Sequence, residues 1–363
     1  MTSTFLPHGD VARIRGRIDH PIIDGDGHLL EVLPVVFDFV REDAGADVHG
    51  RLVRFNQARF TTGEGFLPVR VFHGLPAEHT LDRMTVTLPE LLYRRLDEIG
   101  IDFSLLYPSF GLTLLSFPDD EVRQAGARAL NRYFAESFAG LRDRLEPVAV
   151  IPTFTPDEAM AELDHAVGTL GLKAVVMSGV IPRAVRPDGT PAAWVDSLGH
   201  ESQYDYDPVW ARCVELGVVP AFHGIGYGWG SRVSSRNYVH NHLGNFAAAQ
   251  EAACRALLMG GVTSRFPSLR LAFLEGGAAW ACQLYADLLG HYEKRNRAVV
   301  GRYDDSRIDH DLAMALFDEY AHGPIAARRD RVARGMGHGS AVAAEVSDID
   351  DFEESGFRSA GDI

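Results

Sequence analysis

Cysteine is scarce in this chain, with three among 363 residues. Cys213, Cys254 and Cys282 are an odd number, contain no C-x-x-C pair and fall in segments that read as helical. The pattern argues against a disulfide framework and predicts small core residues in a reducing compartment. Long apolar runs are missing too. The opening MTSTFLPHGDVARIRGRIDH has no run of signal-peptide length, and no later stretch approaches the roughly 18 apolar residues that cross a bilayer. A soluble, cytoplasmic protein is expected. Positive charge is also short: 35 Lys and Arg against 50 Asp and Glu leave a net charge of −15. Such a chain repels phosphate backbones and anionic lipid, so no nucleic acid and no membrane is expected as partner, and a small-molecule substrate fits better. There is no P-loop, no G-x-S-x-G and no G-x-G-x-x-G after an early strand, so a nucleotide-dependent oxidoreductase lacks its phosphate cradle.

What is present is a large apolar fraction, 46%, enough for one big α/β domain or two smaller ones. Three segments share one grammar: LPELLYRRLDEIG before IDFSLLYPS, TPDEAMAELDHAVGTLG before LKAVVMSGV, and DPVWARCVELG before VVPAFHG. Each opens with proline in the first helical turn and closes on a glycine suited to a left-handed cap. In the second, Thr155 and Glu158 have capping-box spacing, and Met160, Leu163, Val167 and Leu170 recur at helical period as an expected buried stripe.

The following strands, with PVAVIPT and LRLAFLEGG, are short continuous apolar runs, the signature of a parallel sheet covered on both faces. Alternating βα units lead to a TIM-type barrel or an open doubly wound sheet. The glycines of HGIGYGWG alternate strictly, the wrong spacing for a dinucleotide fingerprint, and read as a loop. Polar residues gather at the C-terminal ends of several strands, Asp26 and His28, His223, and Glu275. Catalytic groups of a barrel occupy that rim, and the α/β barrel is the expected fold. Residues from about 50 to 80 break the grammar; RLVRF and FLPVRVF around TTGEG predict a β-hairpin inserted after the first strand, either a surface feature or a lid.

In PIIDGDGH, Asp24, Asp26 and His28 share parity, so a regular strand projects all three to one side. Three such groups buried without partners would cost several kcal/mol each. A divalent metal resolves that cost, since carboxylate oxygen and imidazole nitrogen are ordinary ligands of zinc or manganese. The alternative is turn hydrogen bonding by the aspartates, with His28 capping the next helix. His223 ends VVPAFHG and is either a third ligand or a satisfied core histidine. Glu275, in LAFLEGG, is a fourth ligand, a general acid or base, or a cap for a helix starting near Ala278. Asn241 and His242, in YVHNHLGNF, either touch substrate or begin a helix.

The ordered set IIDGDGH, RLDEIGIDFSLLYPS, AFHG and RFPSLRLAFLEGGAAW resembles the metal-dependent amidohydrolase superfamily over about residues 20 to 300. The resemblance is to the amidohydrolase 2 branch, which contains amino-carboxymuconate-semialdehyde decarboxylase and the resorcylate decarboxylases. It implies a distorted (β/α)8 barrel with one divalent ion at the rim, Asp26 and His28 in the ligand positions of the first strand, and His223 as the ligand ending the fifth. A histidine that handles protons in the decarboxylases is Glu275 here. The metal-binding aspartate of the eighth strand has no counterpart, because only six strands can be counted. Either the barrel is incomplete at its C-terminus or the tail makes irregular replacements for the last strands; Asp24 or Glu275 is expected to supply the absent ligand, and a second copy to cover any open edges as a homodimer.

These readings divide the chain into a barrel domain at 1–300 and a polar, helical or loose segment at 301–363. The expected function is a metal-dependent enzyme, a hydrolase or a decarboxylating lyase, acting on a small carboxylated or cyclic organic substrate. Glu275 and Asp24 are its expected catalytic groups and Asn241 and His242 its expected substrate contacts. The alternative is a truncated, catalytically inactive barrel serving as a binding or assembly subunit.

Overall fold

The six apolar runs form six parallel strands whose order in the sheet is their order in the chain. In the computed structural model, which describes residues 5–61, 78–185, 191–226, 228–304, 307–335, 346 and 349–363, the strands are β1 (Ile23–Leu29), β2 (Phe103–Pro108), β3 (Leu145–Val150), β4 (Ala174–Met177), β7 (Pro220–Phe222) and β8 (Ala272–Phe273). They pair as β1-β2-β3-β4-β7-β8. Two further strands, β5 (Ile181–Val185) and β6 (Pro191–Asp196), make a separate antiparallel pair between β4 and β7. Every residue of β3 is buried, whereas β1 is an edge and leaves Ile23 65% exposed. The continuous apolar runs of the inner strands therefore reflect cover on both faces.

The helices start and stop where their local chemistry directs. Pro89–Ile99 ends at Gly100, with φ of 91°, and Asp207–Leu216 at Gly217, with φ of 66°. Pro156–Leu163 begins with the complete Thr155–Glu158 capping box. Glu158 does more than cap: its carboxylate takes the guanidinium of Arg123 at 2.7 Å with both side chains almost fully buried. Arg123 also donates to the Phe117 carbonyl at 2.6 Å and lies over the Phe154 ring at 3.8 Å. A buried pair of this kind survives only because its remaining donors are satisfied.

Three expectations need correction. The predicted stripe is displaced: Ala159, Leu163 and Ala166 are buried while Met160, Val167 and Leu170 are half-buried, and a π-turn over Asp164–Thr169 ends the helix. RLVRF is not a hairpin arm; it lies in the helix Leu33–Thr61, where alternation lost to the packing of Leu52, fully buried, against the core. The rest of that predicted hairpin lies outside the described residues. All three cysteines are helical, but only Cys213 is a core residue, and Cys282 is exposed.

The chain divides into two compact units, Met1–Trp280 and Ala281–Ile363. The first holds the sheet and the main core. In the second the described residues form helices and turns and no strand. Phe352 is buried there, 5.2 Å from the Tyr292 ring, while Leu312, Leu316 and Tyr320 leave an exposed apolar stripe along the helix His310–Tyr320. No described helix is long and apolar enough to cross a membrane.

Glu31 ties β1 to the segment after β2. Its buried carboxylate accepts the backbone N–H groups of Ser109 at 3.2 Å, Phe110 at 3.0 Å and Gly111 at 2.8 Å. Burial raises its pKa and these three donors oppose the rise. Because all three partners donate, Glu31→Gln turns an amide N–H₂ against an N–H. Denaturant unfolding is expected to show a loss of about 1–3 kcal/mol, the range for an unsatisfied buried polar group; an unchanged midpoint would show that this clamp contributes nothing.

Candidate metal centre

A flat sheet of six strands at about 4.8 Å spacing would hold its two edges about 24 Å apart. Here the edge strands β1 and β8 bring His28 Nε2 and Glu275 Oε1 to 3.2 Å. Two side chains cannot span the difference, so the sheet is curled into an open half-barrel. The meeting point lies at the C-terminal ends of the strands. His223, one residue beyond β7, joins it: its Nε2 is 3.2 Å from His28 Nε2 and 3.6 Å from Glu275 Oε1. Asp26 Oδ1 lies 4.0 Å from His28 Nε2. Ligand atoms of Asp26, His28, His223 and Glu275 all fall within 4.8 Å of one another.

Each side chain is aimed by local backbone. β1 carries a bulge: Asp24 pairs with Ser104 but Gly27 with Leu106, three residues advancing against two. The extra residue reverses parity. Asp26 and His28 thus turn to the face of Tyr107, His28's partner in register, while Asp24 stays on the face of Ser104. The Asp24 carboxylate accepts from Ser104 Oγ and from the Asp26 N–H, each at 3.1 Å. The expectation that all three share a side holds for Asp26 and His28 and fails for Asp24, because it assumes a regular strand.

His223 extends the β4–β7 ladder, its N–H donating to the Met177 carbonyl at 3.0 Å. Gly224 behind it admits close packing; a Cβ there would stand 2.5 Å from the Ser178 carbonyl. Glu275 follows β8 with a φ of 56°. A residue that carries a Cβ is strained in that left-handed region, and such strain concentrates at functional sites. The helix after it starts at Ala279.

The electrostatics are those of four titratable groups pressed together. Burial alone would raise the Glu275 pKa, but hydrogen bonds from His223 and His28 and the charges of both rings hold it far below the usual carboxylate range. Burial lowers that of His28, and the Glu275 bond and charge more than reverse it. Burial raises that of Asp26, opposed by both imidazoles and by the Glu275 backbone N–H. Asp26 Oδ1 and His223 Nδ1 are buried with no hydrogen-bond partner among the described residues. Two imidazole nitrogens 3.2 Å apart can share only one proton. Tetrahedral ligands about 2.1 Å from an ion stand about 3.4 Å apart, close to the separations around His28. The donors present fit a divalent ion.

The other predicted residues stand apart from these four. Asn241 is buried and holds the loop, accepting from Ser234 N and donating to Ser234 O, each at 2.7 Å. His242 packs its ring 5.7 Å from Phe246, which in turn lies 5.5 Å from His223. Phe246 and Tyr107, whose ring is 6.1 Å from His28, are aromatic neighbours absent from the sequence-derived candidates. Tyr107 ends β2 in LLYPS, a rim position, so its place is readable; Phe246 carries no signal beyond lying in YVHNHLGNF.

A family model described as an amidohydrolase matches residues 23–350. No curated protein matches the chain. Among solved structures, an amidohydrolase from Mycobacterium avium subsp. paratuberculosis K-10 is similar at 19% identity and a TM-score of 0.51, covering 77% of this chain and 78% of that one; the likeness supports a barrel-type α/β fold. Two others are more distant. A dihydroxybenzoic acid decarboxylase from Polaromonas sp. JS666, with bound manganese and 2-nitroresorcinol, has 16% identity and a TM-score of 0.44 over 69% of this chain and 64% of that one. A 5-carboxyvanillate decarboxylase from Novosphingobium aromaticivorans DSM 12444, complexed with manganese and 4-hydroxy-3-methoxy-5-nitrobenzoic acid, has 14% identity and a TM-score of 0.48 over 81% and 75%. The chain spans less than two thirds of the length of the Polaromonas enzyme.

The strain at position 275 can be separated from its chemistry. Glu275→Gly is expected to stabilise the metal-free protein at mildly alkaline pH by about 1 kcal/mol, the scale of the left-handed penalty, while weakening uptake of a divalent ion. Thermal melts with and without chelator, beside a metal titration, check both halves; a less stable metal-free variant would show that the glutamate's contacts outweigh its backbone cost.

Proposed function

The chain belongs to the amidohydrolase family, and on that premise we propose that it is a metal-dependent enzyme that decarboxylates or hydrolyses a small carboxylated or cyclic organic molecule. The observation that carries the proposal is the convergence of four ionisable side chains from β1, β7 and β8, three of them from the two opposite edges of the sheet. Asp26, His28 and His223 hold one divalent ion, zinc or manganese, for both of which carboxylate and imidazole are ordinary ligands. His223 is the floor, its side chain 2% exposed, and Asp26, His28 and Glu275 form the open side at 34%, 25% and 32%. A bound ion supplies a Lewis acid that polarises a carbonyl or carboxylate oxygen. Phe246, half-buried with its ring 5.5 Å from His223, supplies aromatic surface suited to a planar substrate, while the Tyr107 ring is buried beside His28.

Glu275 acts at the reacting atoms. In hydrolysis it accepts a proton from the attacking water and passes it to the departing oxygen or nitrogen. In decarboxylation a carbon–carbon bond breaks, carbon dioxide leaves and the carbon takes up a proton from water, a donor that the ionised Glu275 carboxylate orients. A homodimer is the proposed assembly, since the exposed β1 edge is an aggregation hazard that a second copy removes.

Three measurements test these statements. Purified protein is expected to hold about one equivalent of metal by elemental analysis, and His28→Ala to lose it, a tenfold or greater fall in affinity; equal, substoichiometric content in both would favour a non-catalytic barrel instead. Gas release and acid release, followed over a panel of aromatic acids, lactones and amides, separate the two reactions. Light scattering at the mass of a single chain would remove the dimer.

A further inference from the structure

We infer that Asp24 is a positioning residue: its carboxylate braces the β1 bulge and so keeps Asp26 and His28 turned towards the cation, an inference that rests on the metal-binding reading above. In a regular parallel ladder the Asp26 N–H would find its acceptor on β2. The bulge removes that acceptor, and the Asp24 carboxylate replaces it two residues back, Oδ1 to N at 3.1 Å, the pattern of an Asx turn. The other oxygen, Oδ2, is anchored across the strand pair by Ser104 Oγ at 3.1 Å. Ser104 is itself 2% exposed, so this anchor is shielded from competing water.

Gly27 completes the brace. It lies on the Asp24 side of the strand, and a Cβ on it would stand 2.6 Å from Asp24 Oδ2, 2.6 Å from Ser104 Oγ and 3.0 Å from the Leu105 carbonyl. The glycine is needed for room, because its backbone is not left-handed. Both glycines of DGDGH therefore cannot be read as turn residues alone: one is the space into which the first aspartate folds. Asp24 stands outside the group of four whose ligand atoms converge, yet the two ligands of β1 both follow the kink it stabilises.

The chemistry of asparagine separates positioning from ligation or proton transfer. In Asp24→Asn the amide oxygen could still accept the Asp26 N–H and the amide nitrogen could donate to a rotated Ser104 hydroxyl, but the side chain could neither act as a base nor serve as an anionic ligand. Metal affinity, measured by titrating the chelator-stripped protein with zinc and with manganese, is expected to stay within about threefold of wild type in Asp24→Asn. It should fall about ten- to hundredfold in Asp24→Ala, the range for loss of a group that orients a ligand. Ser104→Ala and Gly27→Ala are expected to weaken affinity in the same direction, and they keep the test open if Asp24→Ala does not fold. Equal losses in the asparagine and alanine variants would overturn positioning in favour of ligation or catalysis. Unchanged affinity in Asp24→Ala and Gly27→Ala would overturn the brace and leave the metal reading standing, whereas a wild-type chain that binds neither metal would overturn both.

Discussion

Curvature of one sheet is the constraint on which everything else in this protein depends. The donors of the candidate centre sit on the first strand and on the last two, and in sheet order β1 and β8 are as far apart as strands can be. Only a strongly curled sheet lets His28 and Glu275 touch. The buried middle strands, with β3 wholly enclosed, provide the core against which that rolling is held. The rim thus acquires its function from packing that lies well below it.

The cluster shows how an expensive arrangement is made tolerable. Two carboxylates and two imidazoles share a space less than 5 Å across, a bulge interrupts the edge ladder, and one glutamate occupies backbone space that favours glycine. Each departs from local preference, and all three fall at the same point. Natural sequences break local rules chiefly where function demands it, and the coincidence here is itself an argument for a working site. Leu198 and Glu201 also take positive φ away from the cluster, but each is a single departure, and buried charge outside the site is partnered. The buried Arg123, for example, has a carboxylate, a carbonyl and an aromatic face around it.

Much of this is legible in the residues. The six strands, the glycine-capped helices after Pro89 and Asp207 and the Thr155 box follow from short-range rules that depend on few neighbours. Asp26, His28, His223 and Glu275 are readable because polar residues ending apolar strands are rare enough to be informative. What escapes is set by non-local packing. RLVRF alternates like a strand yet is helical because Leu52 has a core to fill. A parity count puts Asp24 on the wrong face because a bulge leaves no mark in it, although the glycine at 27, with room for an oxygen and not for a methyl, is its trace. The hydrogen bonds of Asn241 to Ser234, which hold the loop, likewise leave no mark in the sequence.

The order of the strands has a consequence for how the molecule comes into being. Sheet order follows chain order, with only the β5–β6 pair interposed between β4 and β7, so each strand can add to the growing edge at modest entropic expense. The ligand set does not share that economy: His28 and His223 are 195 positions apart, and they meet only when the sheet from β1 to β7 is in place. A cation held here would recognise only the fully folded chain, stabilising the last closing step and none before it. Metal uptake during refolding would then serve as a clock that starts when the curled sheet has assembled.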